Sequence, residues 1–239
     1  MVSMRLHDTA TGQIRPFEVP RRVGMYVCGI TPYDAAHVGH AVTFLTYDLL
    51  RRRLEDLGHD VTMVRNVTDV DDSILPRASE LGVHYADLAT DEMRRFREQM
   101  EALNIRPPSE EPFATQHIDD IVDLIKHLSD AGYTYELEGS IYFDVVKAPS
   151  FGQLSGYGIK LQRGFFQVRG GDPDRIGKRN PLDFVVWQPS ADGEPSWDTR
   201  IGRGRPGWHI ECSAMSMAFL GATIDLHGGG TDLIFPHHE

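Results

Sequence analysis

His37-Val38-Gly39-His40 sets two imidazoles three positions apart with a glycine between them. Imidazole N–H groups can donate to the charge that develops on a phosphate, and the glycine lets a nucleotide pack against the backbone. In a chain with 11 His and 23 Gly, chance supplies about 0.05 strings of the form His-x-Gly-His, which makes this one moderately specific. Cys28 and Cys212, the two cysteines, are too few for a disulfide framework. With His237 they offer two thiolates and an imidazole, a donor set that suits zinc and leaves a position for a substrate ligand; two core cysteines and a surface histidine are the competing reading. Asp69, Asp71 and Asp72 could bind magnesium, move a proton or cap a helix. The triplet Gly228-Gly229-Gly230 permits close backbone approach to a ligand, and Trp208 is either core or pocket wall.

These groups act together only if the chain brings them to one place. Val23 to Gly29 is a short apolar run closed by glycine, the pattern of a buried strand. From His40 to Leu57 the apolar residues Val42, Leu45, Leu49, Leu50, Leu54 and Leu57 keep helical spacing, and Asp60 to Asn66 reads as a second strand. Strand, helix and strand make one βαβ unit, whose parallel sheet carries ligand sites at the carboxyl ends of its strands. Cys28 and the His37–His40 string fall there. Helices are predicted over 71–81, 84–103 and Ile118 to Leu128, while Tyr133 to Gly171 reads as short β-prone pieces such as Ser140 to Val145. Parallel-sheet grammar returns near Gly207, with a predicted helix from His209 to Leu220 and a strand from Thr223 to Leu226. Asp232 to Phe235 reads as a strand end or turn, and Pro236 suits the first turn of a helix that the sequence stops before; the expectation is a fragment or a naturally short paralogue.

The 239 residues are 41% apolar and 25% charged, which excludes disordered, collagen-like and coiled-coil classes. No apolar run approaches the roughly 18 residues of a membrane span, and Met1 to Gln13 lacks a signal-peptide core, so a cytoplasmic protein without a membrane partner is expected. Lys and Arg total 24 against 35 Asp and Glu, a formal charge of −11, which argues against a broad basic face for nucleic acid.

Six ordered blocks carry a resemblance: Met25-Tyr-Val-Cys-Gly-Ile-Thr-Pro-Tyr-Asp34, His37 to His40, Val64-Arg-Asn-Val-Thr-Asp-Val-Asp-Asp72, Ile141-Tyr-Phe-Asp-Val145, Gly204-Arg-Pro-Gly-Trp-His-Ile-Glu-Cys-Ser-Ala-Met215 and His227-Gly-Gly-Gly-Thr-Asp-Leu-Ile-Phe-Pro-His-His-Glu239. Together they resemble the catalytic domain of the cysteinyl-tRNA synthetase family and of the related cysteine ligase of mycothiol biosynthesis. That resemblance implies an α/β fold, a Rossmann-like parallel sheet of the class I synthetase kind, interrupted by a connective insertion. Residues 1–112 would form its first half, 113–206 the insertion and 207–239 the second half. It further implies an ATP-dependent ligase that forms cysteinyl-adenylate, using ATP with Mg2+. His37 and His40 would stabilise the α-phosphate; Gly39, Gly228, Gly229, Gly230 and Asp232 would lie at the ATP. Thr31, Thr68 and Trp208 would line the cysteine pocket, and Zn2+ held by Cys28, Cys212 and His237 would take the substrate sulfur and so reject serine.

Two departures bear on activity. In cysteinyl-tRNA synthetases a glutamate is the fourth zinc ligand, and its position falls two residues beyond Glu239; the lysine-rich signature loop that stabilises the triphosphate lies further downstream. The chain as written is therefore expected to bind cysteine and zinc and to activate cysteine poorly. Gly139 to Asp144, Lys178 to Phe184 and Ser213 to Ser216 look like the tRNA synthetase, whereas Ile30 to Asp34 and Gly170-Gly-Asp-Pro-Asp-Arg175 look like the mycothiol-pathway ligase. tRNA is the leading acceptor on this reading, an amino sugar or other amine the alternative, and a non-catalytic zinc and cysteine-binding paralogue the reading from another class.

Overall fold

A computed structural model describes residues 4–239. After a short antiparallel hairpin, β1 (Arg5–Asp8) and β2 (Gln13–Pro16), the chain enters β3 (Arg22–Ile30), in which Met25 to Cys28 are all buried. A run buried without alternation is the mark of a strand covered on both faces. β3 pairs in parallel with β4 (Asp60–Val67) on one side and β10 (Leu226–Gly228) on the other. Beyond β4, Glu110 and Phe113 add isolated parallel bridges to Val64 and Val67. α1 (Val38–Asp56) joins β3 to β4, as its helical spacing predicts, and α2 (Ile74–Leu81) and α3 (Tyr85–Ala102) follow.

Period-two alternation sorts the side chains of β3 between two layers. Val23, Met25 and Val27 face a core built with Phe44 and Leu54 of α1 and Met93, Phe96 and Met100 of α3. Tyr26 and Cys28 face the other way, toward Cys212 and Met215 of α6 (Trp208–Leu220). α4 (Ile118–Asp130) packs on the outside of α6 through Ile118, Ile121, Val122 and Ile125, which meet Ile210, Ala214 and Trp187. Trp187 belongs to an antiparallel sheet of order β5-β6-β7-β9-β8, formed by β5 (Thr134–Leu137), β6 (Ser140–Phe143), β7 (Phe184–Gln188), β8 (Trp197–Thr199) and β9 (Gly202–Pro206).

Two local readings change. α5 (Ile159–Val168) is a helix inside the stretch expected to be β-prone; Gly164 at its middle and the exposure of Ile159 and Leu161 hide its periodicity. The last strand starts at Leu226 rather than Thr223, because Asp225 is spent on Gly24, accepting its amide on the side chain and donating to its carbonyl. Residues 234–238 form turns after a 3-10 segment at Thr231–Leu233, in keeping with the strand end or turn expected there. The clustered carboxylates are structural: Asp71 accepts the amides of Ser73 and Ile74 at the head of α2, Asp69 accepts Thr115 through amide and hydroxyl, and Asp72 pairs with Arg205. No helix among the described residues is long and apolar enough to cross a membrane.

One irregularity shapes the carboxyl end of β3. Val27 pairs with Arg65 and Ile30 with Val67, so Cys28 and Gly29 together oppose Asn66: a β-bulge. Gly29 donates its amide to Asn66 Oδ1 at 2.9 Å, and a Cβ on Gly29 would lie 1.6 Å from the Asn66 carbonyl oxygen. Gly29→Ala must part the two strands and is expected to lower the unfolding free energy by about 3 kcal/mol or more in urea titration. A loss under about 1 kcal/mol would mean that this edge yields freely.

Candidate functional site

The sheet changes direction at β3: the chain leaves it toward β4 on one side and returns through β10 on the other, and α/β sheets bind ligands at the carboxyl end of such a point. A cleft of about 1420 Å³ opens there. Cys28, Thr31, His37, Gly39, His40, Trp208, Gly229, Gly230 and Asp232 line it. Gly228 packs beside it, where a Cβ would collide with the Tyr47 ring at 2.3 Å. Cys212 and His237 lie under the floor, in contact with each other. Thr68, only 2% exposed, sits behind the wall and accepts the Asn66 side-chain amide at 3.2 Å.

His37 caps α1. Its Nδ1 accepts the His40 amide at 3.3 Å, and His40 Nδ1 accepts the His37 amide at 3.4 Å, with the rings stacked 3.8 Å apart. Both Nδ1 atoms act as acceptors, so each neutral ring carries its proton on Nε2, a donor left for a ligand. Burial, then His37, pulls the His40 pKa down and favours that neutral form. A Cβ on Gly39 would lie 2.8 Å from the His37 ring, so the stacked pair requires glycine. Across the cleft, the Gly229 amide donates to Tyr47 Oη at 3.0 Å, which ties the glycine turn to α1.

Beneath the floor, Cys28 Sγ lies 3.9 Å from Cys212 Sγ, and His237 Nε2 lies 3.3 Å from Cys212 Sγ. The three donor atoms stand within 4.8 Å of one another. His227 Nε2 and His238 Nε2 approach Cys28 Sγ at 3.5 and 3.2 Å as a second group on the same thiol. A hydrogen bond from the Cys28 thiol holds the Cys212 pKa well down, and the same bond pushes Cys28 well up, so the first thiolate forms on Cys212. Two sulfurs and an imidazole nitrogen at this separation fit a soft divalent metal such as zinc. His237 Nδ1 lies 2.8 Å from Nδ1 of the half-buried His209, whose pKa desolvation lowers well below the usual value, favouring the neutral ring. His209 can therefore accept from His237 and aim its Nε2 lone pair at the thiols. Trp208 stacks on the His237 ring at 4.3 Å.

The turn bearing His237 is pinned from outside the Rossmann layers. The Glu239 carboxylate accepts the amides of Gly152, Leu154 and Ser155, and Arg169 Nη1 donates to the Phe235 carbonyl at 2.6 Å. Sequence reasoning missed His209, His227, His238 and Glu211. The His237-His238 doublet was a signal for one of them; nothing in the spacing marked the rest. Glu211 is fully buried beside Cys212 with neither carboxylate oxygen hydrogen-bonded among the described residues, and burial drives its pKa well up.

A family profile described as the class I tRNA synthetase (C) catalytic domain matches residues 15–239. The L-cysteine:1D-myo-inositol 2-amino-2-deoxy-alpha-D-glucopyranoside ligase of Nocardiopsis dassonvillei is 53% identical over 236 residues, 99% of this chain and 58% of that protein. The like-named ligase of Thermobispora bispora is 52% identical, over 99% of this chain and 59% of that protein. The chain thus spans under three-fifths of the length of these curated relatives. Among solved structures, Mycobacterium tuberculosis methionyl-tRNA synthetase in complex with methionyl-adenylate superposes with a TM-score of 0.63 at 16% identity, over 89% of this chain and 52% of that one. A putative arginyl-tRNA synthetase from Campylobacter jejuni gives 0.52 at 12% identity, over 88% and 48%. Both share the fold.

Burial, then His227 and His237, pushes the His238 pKa down to about 3. Below about pH 6.5 an unfolded His238 takes up a proton that the folded ring refuses, so stability drains as pH falls from there toward 3. With chelator present, the urea midpoint is expected to fall less steeply between pH 7 and 4 in His238→Gln than in the unmutated protein. Parallel profiles would show that His238 titrates normally in the folded state.

Proposed function

This chain belongs to the class I tRNA synthetase (C) catalytic-domain family, and from that premise we propose that it activates L-cysteine as the adenylate and passes the cysteinyl group to a small amine. The observation that carries the reading is the Cys28–Cys212–His237 cluster, which meets through Cys28 a cleft whose rim holds His37 and His40. A thiol-specific floor and a phosphate-handling rim, one cleft apart, suit a reaction that joins a sulfur amino acid to a nucleotide.

Zinc on Cys28, Cys212 and His237 would supply a soft Lewis acid for the substrate thiolate, a preference that serine's hydroxyl cannot meet. Thr31, held by its hydroxyl's bond to Asp71 Oδ2 at 3.1 Å, and Trp208, held by its stack on His237, would flank the amino acid. A carboxylate oxygen of cysteine attacks the α-phosphorus of ATP; the bond from that phosphorus to the bridging oxygen breaks, and pyrophosphate leaves with the electron pair. His37 and His40 donate Nε2–H to the oxygens on which charge builds. The glycine turn and Asp232 lie against the adenosine. In the second step the acceptor nitrogen attacks the adenylate's carbonyl carbon, the carbon–oxygen bond to AMP breaks, AMP departs with the electron pair, and the nitrogen sheds a proton to leave an amide.

The sequence blocks alone put tRNA first as acceptor. Relatives over 99% of the chain at 53% and 52% identity are named as ligases of an aminoglucosyl-inositol, which supports the amine instead, and the formal charge of −11 agrees with it. The full gene product is expected to run ATP–pyrophosphate exchange with cysteine and not with serine, and to convert the aminoglucosyl-inositol to its cysteinyl amide while leaving tRNA uncharged. His40→Ala is expected to lower exchange about 100-fold. Charged tRNA without amide formation would reverse the acceptor, and exchange indifferent to cysteine would sink the reading whole.

A further inference from the structure

The cleft is larger than the roughly 300–1,000 Å³ that holds one drug-sized ligand. Its nucleotide rim and thiol floor account for two walls. The third, built from β6, the end of α5 and the segment after it, touches neither His37 and His40 nor the cysteines, yet faces the same space. It also contains Gly170-Gly-Asp-Pro-Asp-Arg175, the block whose likeness to the amine ligase the mechanism above leaves unused.

This wall is stiff. A Cβ on Gly171 would lie 2.3 Å from the Phe166 ring, so the loop turns flat against that ring. Lys178 Nζ lies 4.7 Å from the same ring and donates to the carbonyls of Asp172 and Pro181, both at 2.8 Å, closing the segment on itself. Arg169 ties it to Phe235, beside the His237 turn. Two side chains on this frame line the cleft with unspent valence. Asp172, exposed at the cleft, accepts the Asp174 amide on Oδ1 at 3.1 Å, and its Oδ2 has no protein partner among the described residues. Arg175 gives Nη2 to Glu138 at 2.9 Å, and its Nη1 has no protein partner among the described residues, the guanidinium standing 5.8 Å from the Tyr142 ring.

We propose that Asp172 and Arg175 form the acceptor subsite, binding hydroxyl groups of the amino sugar whose nitrogen receives cysteine; this rests on the amine reading above. A carboxylate and a guanidinium side by side on this frame, one accepting and one donating, match the alternating demands of neighbouring sugar hydroxyls.

The test separates the two half-reactions in the full gene product. Asp172→Ala and Arg175→Ala are each expected to raise the acceptor KM at least 10-fold, with cysteine-dependent pyrophosphate exchange within 2-fold of the unmutated enzyme. Asp172→Asn, which keeps an acceptor oxygen, is expected to restore most of the loss. An acceptor KM unmoved in both alanine variants, or exchange falling in step with transfer, overturns the subsite alone. An unmutated enzyme that exchanges pyrophosphate yet cannot cysteinylate the amino sugar overturns the amine reading and the subsite with it.

Discussion

Two thiols 184 positions apart in sequence meet at 3.9 Å in the interior, and most of the architecture serves that meeting. A buried thiolate is costly unless neighbours share its charge. Cys28 reaches the α6 layer because alternation along β3 turns it there with Tyr26, and the bulge opposite Asn66 sets where the strand ends around it. Cys212 reaches the same point because α6 is clamped between β3 and the antiparallel sheet with α4 behind it. His237 arrives last in sequence, on a turn held by Glu239 to residues 152–155 and by Arg169 to the wall of the same cleft. Parts of the chain distant in sequence thus complete one cluster.

The imidazoles divide into two populations by what their Nδ1 atoms do. At the rim, His37 and His40 spend theirs on the backbone of α1 and present N–H donors, which suits developing negative charge. Beside the thiols, desolvation lowers the pKa of His209 and His238 and favours the neutral ring, so they can act as acceptors or ligands. The same side chain presents a donor at one end of the cleft and an acceptor at the other, and local hydrogen bonding decides which.

Much of this was legible in the sequence. The apolar run of β3, the 3.6-residue spacing of α1 and the second run of β4 specify the βαβ unit locally, and the His-x-Gly-His string marks its helix start. Cys28, Cys212 and His237 formed a donor set by type and expected place at the sheet edge, a weak signal because no close pair of cysteines exists, and the ordered blocks strengthened it. The bulge at Cys28–Gly29 stayed hidden because it is a relation between two strands, visible only once Val27 and Ile30 are registered against Arg65 and Val67. α5 was lost to Gly164 and to an apolar face left in solvent. His209, His227 and Glu211 sit on elements whose patterns say core or turn, and their roles come from what lies across from them.

Zinc K-edge absorption spectroscopy on the metal-loaded protein bears most directly on the thiol cluster. Expected is a zinc shell with two sulfur donors at about 2.3 Å, completed by nitrogen or oxygen, that gains one further sulfur on addition of cysteine and is unchanged by serine. A shell of nitrogen and oxygen alone, or one that cysteine leaves unaltered, would contradict the assignment of Cys28 and Cys212 as the pair that selects the substrate.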